Sequence, residues 1–359
     1  MNEKTTFTIE EELLGAAGAI LPVEKSPLSL LRETKNPVPG DASARMQAAG
    51  ITESSGRIRQ EYLRAFGVLA QARSFARLKF SAGDKIFEFL VYFPADASAP
   101  VSLLHNGNNL VVEDPAGIDQ AFMLIDQHIG HSLLSSQTFK GEFSREEALA
   151  LFALMDLERK TLIHGIADNT EPRNAVFDLA TIMGQVKNPY RNFQSLEFVL
   201  QSRIIPGDPL TPDRIGQGLA GLAGKGLIQQ NDSGFMLGDG LYQIASRFLI
   251  MDSFVILESA RLDQNNTMWG GSFLSLQAGV NDVLYLEGHA EEIIVRCITA
   301  GELMELANSI LSDPSFIPVT PEVPAQQAGA SPARRHCTQC GAEIADGKKF
   351  CGKCGARVS

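Results

Sequence analysis

Four of the chain's five cysteines fall in its last 23 residues, as Cys337-Thr-Gln-Cys340 and Cys351-Gly-Lys-Cys354. Ten residues separate the two pairs, and Gly341 and Gly355 follow them directly. Two residues between paired cysteines let the backbone turn so that both sulfurs face one ion, and a glycine finishes that turn without a Cβ clash. The spacing predicts a closed tetrahedral site in which Cys337, Cys340, Cys351 and Cys354 hold one structural Zn2+. With sulfur at every position, neither water nor substrate reaches the metal. A module of this size cannot bury enough apolar surface to fold unaided. Zinc bound by thiolates supplies that deficit, on the order of 10–16 kcal/mol at neutral pH. His336 reads as a solvated neighbour of the site.

Residues 336–356, including Phe350 just before the second pair, resemble the short zinc-ribbon modules appended to bacterial regulatory and membrane-associated proteins. The resemblance implies a metal and leaves the function open. Outside it, chemistry-bearing patterns are sparse. Gly216-Gln-Gly218-Leu-Ala-Gly221 spells G-x-G-x-x-G, but Pro209-Leu-Thr-Pro-Asp213 before it is a helix start, where a dinucleotide site requires a strand. The segment 211–237 reads instead as a winged-helix-like unit, a helix followed by a β-hairpin turning at Asn231-Asp-Ser-Gly234. Arg214, Gln217 and Lys225 would be its groups for nucleic acid. His128 and His131, with Asp126 nearby, read as helix polar residues lacking a third metal ligand. Cys297, between Arg296 and Ile298, reads as a small core residue. No nucleophile elbow, H-E-x-x-H helix or paired-carboxylate motif occurs, so no catalytic residue is assigned.

Charge narrows the partners. The net charge is −11, yet from Ser331 onward six Lys or Arg face two Asp or Glu, a local +4 that leaves −15 on the preceding 330 residues. An acidic body repels the nucleic-acid backbone and anionic bilayers. The start, Met1-Asn-Glu-Lys-Thr-Thr-Phe, lacks the basic and then apolar pattern of a secretory leader, and the apolar run Phe248 to Leu257 is too short to span a membrane. The expected setting is the cytoplasm, without membrane insertion.

The body reads as two copies of one unit. Phe7-Thr-Ile-Glu-Glu-Glu-Leu13 recurs as Phe143-Ser-Arg-Glu-Glu-Ala-Leu149, each copy a capping box (Thr8 with Glu11, Ser144 with Glu147) opening an apolar helix. A helix from Glu53 to Gln71 is matched with one from Thr211 to Gly224. Strands Ile86–Phe93, Val101–Leu104 and Asn109–Val112 are matched with Ser253–Leu257, Ser272–Leu276 and Asp282–Leu286, and closing helices Asp119–Leu134 and Ala300–Leu311 complete the copies. The expectation is an α+β fold of two similar lobes from an internal duplication, 1–135 and 142–311, with extra sequence around His164 to Leu200 in the second. A Pro/Ala-rich flexible linker, 312–335, then leads to the ribbon. Pro22 to Gly40 is a second Pro-rich stretch.

In element order the body resembles the type VII secretion-associated chaperones (the EspG family). That resemblance implies two pseudo-symmetric halves and binding of another protein through hairpin edges, near Asn266 to Gly271 and near Asn106. The expected function is a non-enzymatic protein-binding factor, adaptor or chaperone-like. The alternative is a winged-helix and zinc-ribbon transcription regulator that binds DNA.

Overall fold

The computed structural model describes residues 4–32, 39–82, 85–96, 98–130, 132–170, 173–204, 210–279, 281–288, 292–313, 335–336 and 343–344. The chain divides into two compact units, Met1–Thr320 and Pro321–Ser359. The first half of the body contains β1 (Thr5–Glu10), α1 (Leu14–Ile20), α2 (Ala42–Ala48), α3 (Leu63–Gln71), β2 (Ser74–Ala82), β3 (Lys85–Phe93), β4 (Val101–Asn106), β5 (Asn109–Asp114) and α4 (Ile118–Ile129). The second contains β6 (Lys140–Ser144), α5 (Arg145–Ala167), α6 (Leu179–Lys187), α7 (Leu196–Val199), α8 (Pro212–Gly224), β7 (Ile228–Asn231), β8 (Gly234–Leu237), α9 (Asp239–Arg247), β9 (Ser253–Leu262), β10 (Met268–Ala278), β11 (Asp282–Gly288), β12 (Glu292–Ile298) and α10 (Ala300–Ser312). Mixed α+β architecture follows as expected, built on one large antiparallel sheet.

The sheet has ten strands in the order β1-β5-β4-β3-β2-β9-β10-β11-β12-β6. From either edge inward the sequence is the same: the first strand of a half, then its fifth, fourth, third and second. A pseudo-two-fold axis therefore passes between β2 and β9, whose ladder pairs Leu78 with Leu257 and Arg77 with Glu258. The flanking elements also repeat. α2, the Thr52–Ile58 bridge and α3 occupy in chain order the places of α8, the β7–β8 hairpin and α9. α6 and α7 are the surplus of the second half, within the stretch where extra sequence was expected.

Strand alternation sorts the side chains onto two faces. On one face Leu78, Phe89, Val91, Val255 and Leu257 form a core with Ile125 of α4 and Leu303 and Ile310 of α10. On the other, two separate cores lie to either side of the axis. One holds Leu90, Leu103 and Val112 with Phe66 and Leu69 of α3; the other holds Ile256, Leu274 and Leu284 with the apolar length of α5. Between them runs a polar ladder in which Arg77 meets Glu88 at 2.5 Å and Glu258 at 3.2 Å.

Several sequence expectations are corrected. Thr8 does not cap a helix: Thr5–Glu10 is an edge strand, with Thr8 opposite Val111 and with Phe7 and Ile9 buried. The alternation of Thr-Phe-Thr-Ile outweighed the capping pattern. Ser144 and Glu147 do form both bonds of their box, at the end of strand β6. Helix α3 starts at Leu63, because Gly56 at φ 77° and the Thr52–Ile58 bridge turn the chain before it. Strand β2, with its alternating Phe-Ala-Arg-Leu-Lys-Phe, adds a strand to the first half and moves the whole correspondence by one strand. Thus β3 matches β10, β4 matches β11 and β5 matches β12, while α3 matches α9. The hairpin edge expected near Asn266 to Gly271 divides in two: Met268-Trp-Gly-Gly271 is strand, and the turn lies just before it, where the Asp263 amide reaches the Thr267 carbonyl at 3.0 Å and Asn266 takes φ 59°.

Among the described residues no helix is long and apolar enough to cross a membrane. In the second unit, Arg335–His336 and Glu343–Ile344 pair antiparallel, and in sequence they bracket Cys337 and Cys340.

Candidate functional site

Helix α5 is apolar on every face from Ala148 to Met155, all of it buried, so the helix runs through the middle of its lobe. Its next turn, Asp156-Leu-Glu-Arg-Lys160, carries charge into that interior. Asp156, Glu158 and Arg159 are buried, Glu158 completely. Burial of charge is tolerated only when every polar atom finds a partner.

Arg159 and Asp156 meet that condition in detail. The guanidinium donates Nη1–H to Asp156 Oδ1 at 2.7 Å and to the Gln194 carbonyl at 2.6 Å. Its Nε–H reaches the Phe248 carbonyl at 2.6 Å, and Nη2 the Leu249 carbonyl at 3.1 Å. Asp156 accepts on both oxygens: Oδ2 from the Ser195 hydroxyl at 2.7 Å and the Glu197 amide at 3.1 Å, Oδ1 also from the Leu196 amide at 3.1 Å. It thereby satisfies the open N–H groups at the start of α7. Gln194 ties the two loops together, donating to the Met251 carbonyl at 2.6 Å and accepting the Met251 amide at 2.9 Å. One ion pair thus fastens the loop before α7 and the loop after α9 to the central helix.

Beside this network lies an open cleft of about 480 Å³, lined by Asp156, Arg159 and Lys160 with Ile163, Tyr190 and Ile250 at its rim. The rim residues are exposed, Ile250 at 66% and Tyr190 at 63%. Lys160 donates to Gln185 Oε1 and sits 4.4 Å from the centre of the Tyr190 ring, and burial lowers its pKa. The cleft brings titratable groups together, and the one hydroxyl it sets on a carboxylate, Ser195 on Asp156, is buried and also accepts the Phe198 amide at 3.2 Å as the cap of α7. Asp156 is saturated by donors, and Arg159 points three of its bonds at backbone carbonyls.

Two neighbouring carboxyls behave differently. Glu197 is fully buried, with Gln201 donating to Oε1 at 2.7 Å and, among the described residues, no partner at Oε2. Burial pushes its pKa well above the ordinary range, and the nearby Asp156 adds to the rise. Glu158 is raised by burial as well, although the Ala175 amide donates to it at 3.0 Å. A proton held in the folded state but released on unfolding makes stability fall as pH rises between the unfolded and folded values. Wild-type stability should therefore decline from about pH 5 upward, at up to about 1.4 kcal/mol per unit for Glu197. Glu197→Gln should flatten that decline and stabilise the body at pH 8, as read by urea unfolding across the range. An unchanged slope would show that Glu197 is ionised in the fold.

The sequence-singled residues lie elsewhere. α8 forms from its Thr211 cap with Pro212 in the first turn, and the G-x-G-x-x-G run is inside the helix. A Cβ on Gly218 would come within 2.4 Å of the Glu146 carbonyl oxygen, so the glycines let α8 pack tightly on α5. Arg214 pairs with Glu146, and Lys225 with Glu147 at 2.6 Å and the Glu142 carbonyl at 2.8 Å, while Gln217 is exposed. Cys297 packs half-buried against the α5 core, where burial, with Asp282 nearby, pushes its thiol up to about 12, an unreactive neutral form. Among the described residues no cluster of His, Cys, Asp and Glu could hold a metal. His131, the His128 side chain, most of the 312–335 linker and all four C-terminal cysteines lie outside the described residues.

Comparison with protein families finds a zinc-ribbon domain at residues 336–358. The matched segment contains both Cys-x-x-Cys pairs, and a set of four thiolate donors suits zinc. A search of curated proteins gives no match to the chain.

Proposed function

We propose that the chain is a non-catalytic, cytoplasmic protein-binding factor, adaptor or secretion-chaperone-like, with one structural Zn2+ held by Cys337, Cys340, Cys351 and Cys354. The observation that carries this reading is a repeated apolar feature at two hairpin ends. Ile86 at the start of β3 is 60% exposed, and Met268 at the start of the equivalent strand β10 is 43% exposed. An aromatic residue follows each, Phe87 and Trp269. Both aromatic rings are half-buried, so Ile86 and Met268 are the exposed groups, and exposed apolar side chains on rigid strands can anchor a protein interface. Arg73 holds the β9–β10 end in place, its guanidinium reaching Asn266 Oδ1 at 2.7 Å. The Asn106 turn presents exposed polar residues and no such anchor.

The DNA-binding alternative draws on α8, but its Arg214 and Lys225 are engaged by the carboxylates of α5. Substitution tests the preferred reading. With the full-length chain purified from its native host, Ile86→Glu or Met268→Glu should each weaken capture of the partner at least tenfold, about the cost of losing one interface anchor. Met123→Glu, at an exposed position on α4, should leave capture unchanged. Equal capture by all three variants would refute the assignment of the hairpin ends.

A further inference from the structure

The cleft above α5 has a composition that the protein-binding reading does not use. Its charged lining residues are Asp156, Arg159 and Lys160, and the first two neutralise one another at 2.7 Å. Lys160 is left as the uncompensated charge, its one hydrogen-bond partner among the described residues being the neutral amide oxygen of Gln185. An ammonium carries three N–H donors, so two remain. One Nη2 hydrogen of Arg159 also lacks a partner among the described residues, in a guanidinium fixed by its bonds to Asp156, Gln194, Phe248 and Leu249. Around these donors stand Ile163, Tyr190 and Ile250, all exposed, with Leu249 half-buried beside them.

A volume near 480 Å³ with apolar walls and a few convergent polar groups is the form of a small-molecule site. We propose that this cleft binds a monoanionic amphipathic ligand, a carboxylate bearing an apolar chain or ring. The carboxylate would meet Lys160 and the free Arg159 hydrogen, and the apolar part would cover Tyr190 and Ile250. The single net positive charge selects a monoanion, since a phosphate dianion would leave one charge desolvated and unpaired. The apolar rim selects against acetate-sized anions, which gain nothing from it. The same chemistry occurs in a free short-chain acyl acid and in a polypeptide C-terminus ending in a leucine-like residue, and the test separates these sources.

Calorimetric titration of the full-length protein with octanoate should give saturable binding at one site. Octylammonium, of equal length and opposite charge, should not bind, and acetate should bind at least tenfold more weakly than octanoate. Lys160→Met keeps an unbranched apolar stem of similar length and removes the charge. It should lower octanoate affinity about tenfold or more, the scale of a charge-assisted hydrogen bond, with the thermal midpoint nearly unchanged. A tripeptide ending in a free leucine carboxylate, compared with its amide, identifies the source. Tighter binding than octanoate points to a chain terminus, and weaker binding to a free acid. Absence of saturable octanoate binding, equal binding of octylammonium, or an unaffected Lys160→Met variant would each overturn the proposal.

Discussion

Replacing Cys351 and Cys354 together by serine is expected to remove the zinc from the full-length chain and leave residues 336–358 without a fold. A module this short has no apolar core to fall back on, and zinc–thiolate binding is worth on the order of 10–16 kcal/mol, more than such a segment could recover by any other contact. The acidic body is expected to keep its fold, because among the described residues its three main cores are built from residues between Phe7 and Leu311. Elemental analysis should give one equivalent of zinc for the parent and none for the variant, with unchanged unfolding of the body. Protease digestion should trim the variant's tail and spare the parent's. Retained zinc in the double-serine protein would refute the ligand assignment, and a collapsed body would show that the ribbon supports it.

The other large effect is expected at Arg159. Arg159→Met removes the donor to Asp156 and to the Gln194, Phe248 and Leu249 carbonyls at once. A carboxylate left buried without its partner destabilises by about 3–5 kcal/mol, enough to consume much of an ordinary domain's stability. The paired variant Asp156→Asn with Arg159→Met should recover part of this loss, since no bare charge then remains. Chemical denaturation of the four proteins in the cycle measures it. If the single Arg159 variant unfolds within about 0.5 kcal/mol of the parent, the network is not the fastening described above.

How much of this could be read from the residues varies with the range of the interactions involved. The zinc-ribbon match is local: both Cys-x-x-Cys pairs and the glycines after them lie in one short stretch. α8 and the Ser144 box were equally legible, because Thr211, Pro212, Ser144 and Glu147 act on backbone within their own first turn. The α5 network was not. Asp156-Leu-Glu-Arg-Lys160 has the look of a solvated helix face, and Arg159 is satisfied mainly by carbonyls of residues 194, 248 and 249, which no side-chain pattern announces. The signal that could have exposed it is the preceding run Ala148 to Met155, apolar around the whole helix, which leaves the following turn no solvent to face.

The duplication was legible as a rhythm but misaligned. Edge strands β1 and β6 each run directly into helical sequence, so their short alternations were absorbed into the helix starts. Once β2 is included, the order of strands inward from the two edges coincides, and the exposed Ile86 and Met268 become equivalent positions.

Cross-linking mass spectrometry on the full-length protein captured from its host examines the protein-binding reading most directly. One polypeptide should be recovered in fixed stoichiometry, cross-linked through Lys85 and Lys79 beside the β2–β3 end, and lost when Ile86 becomes glutamate. Repeated isolation of the zinc-loaded chain alone, or a partner retained when both Ile86 and Met268 carry glutamate, would contradict it.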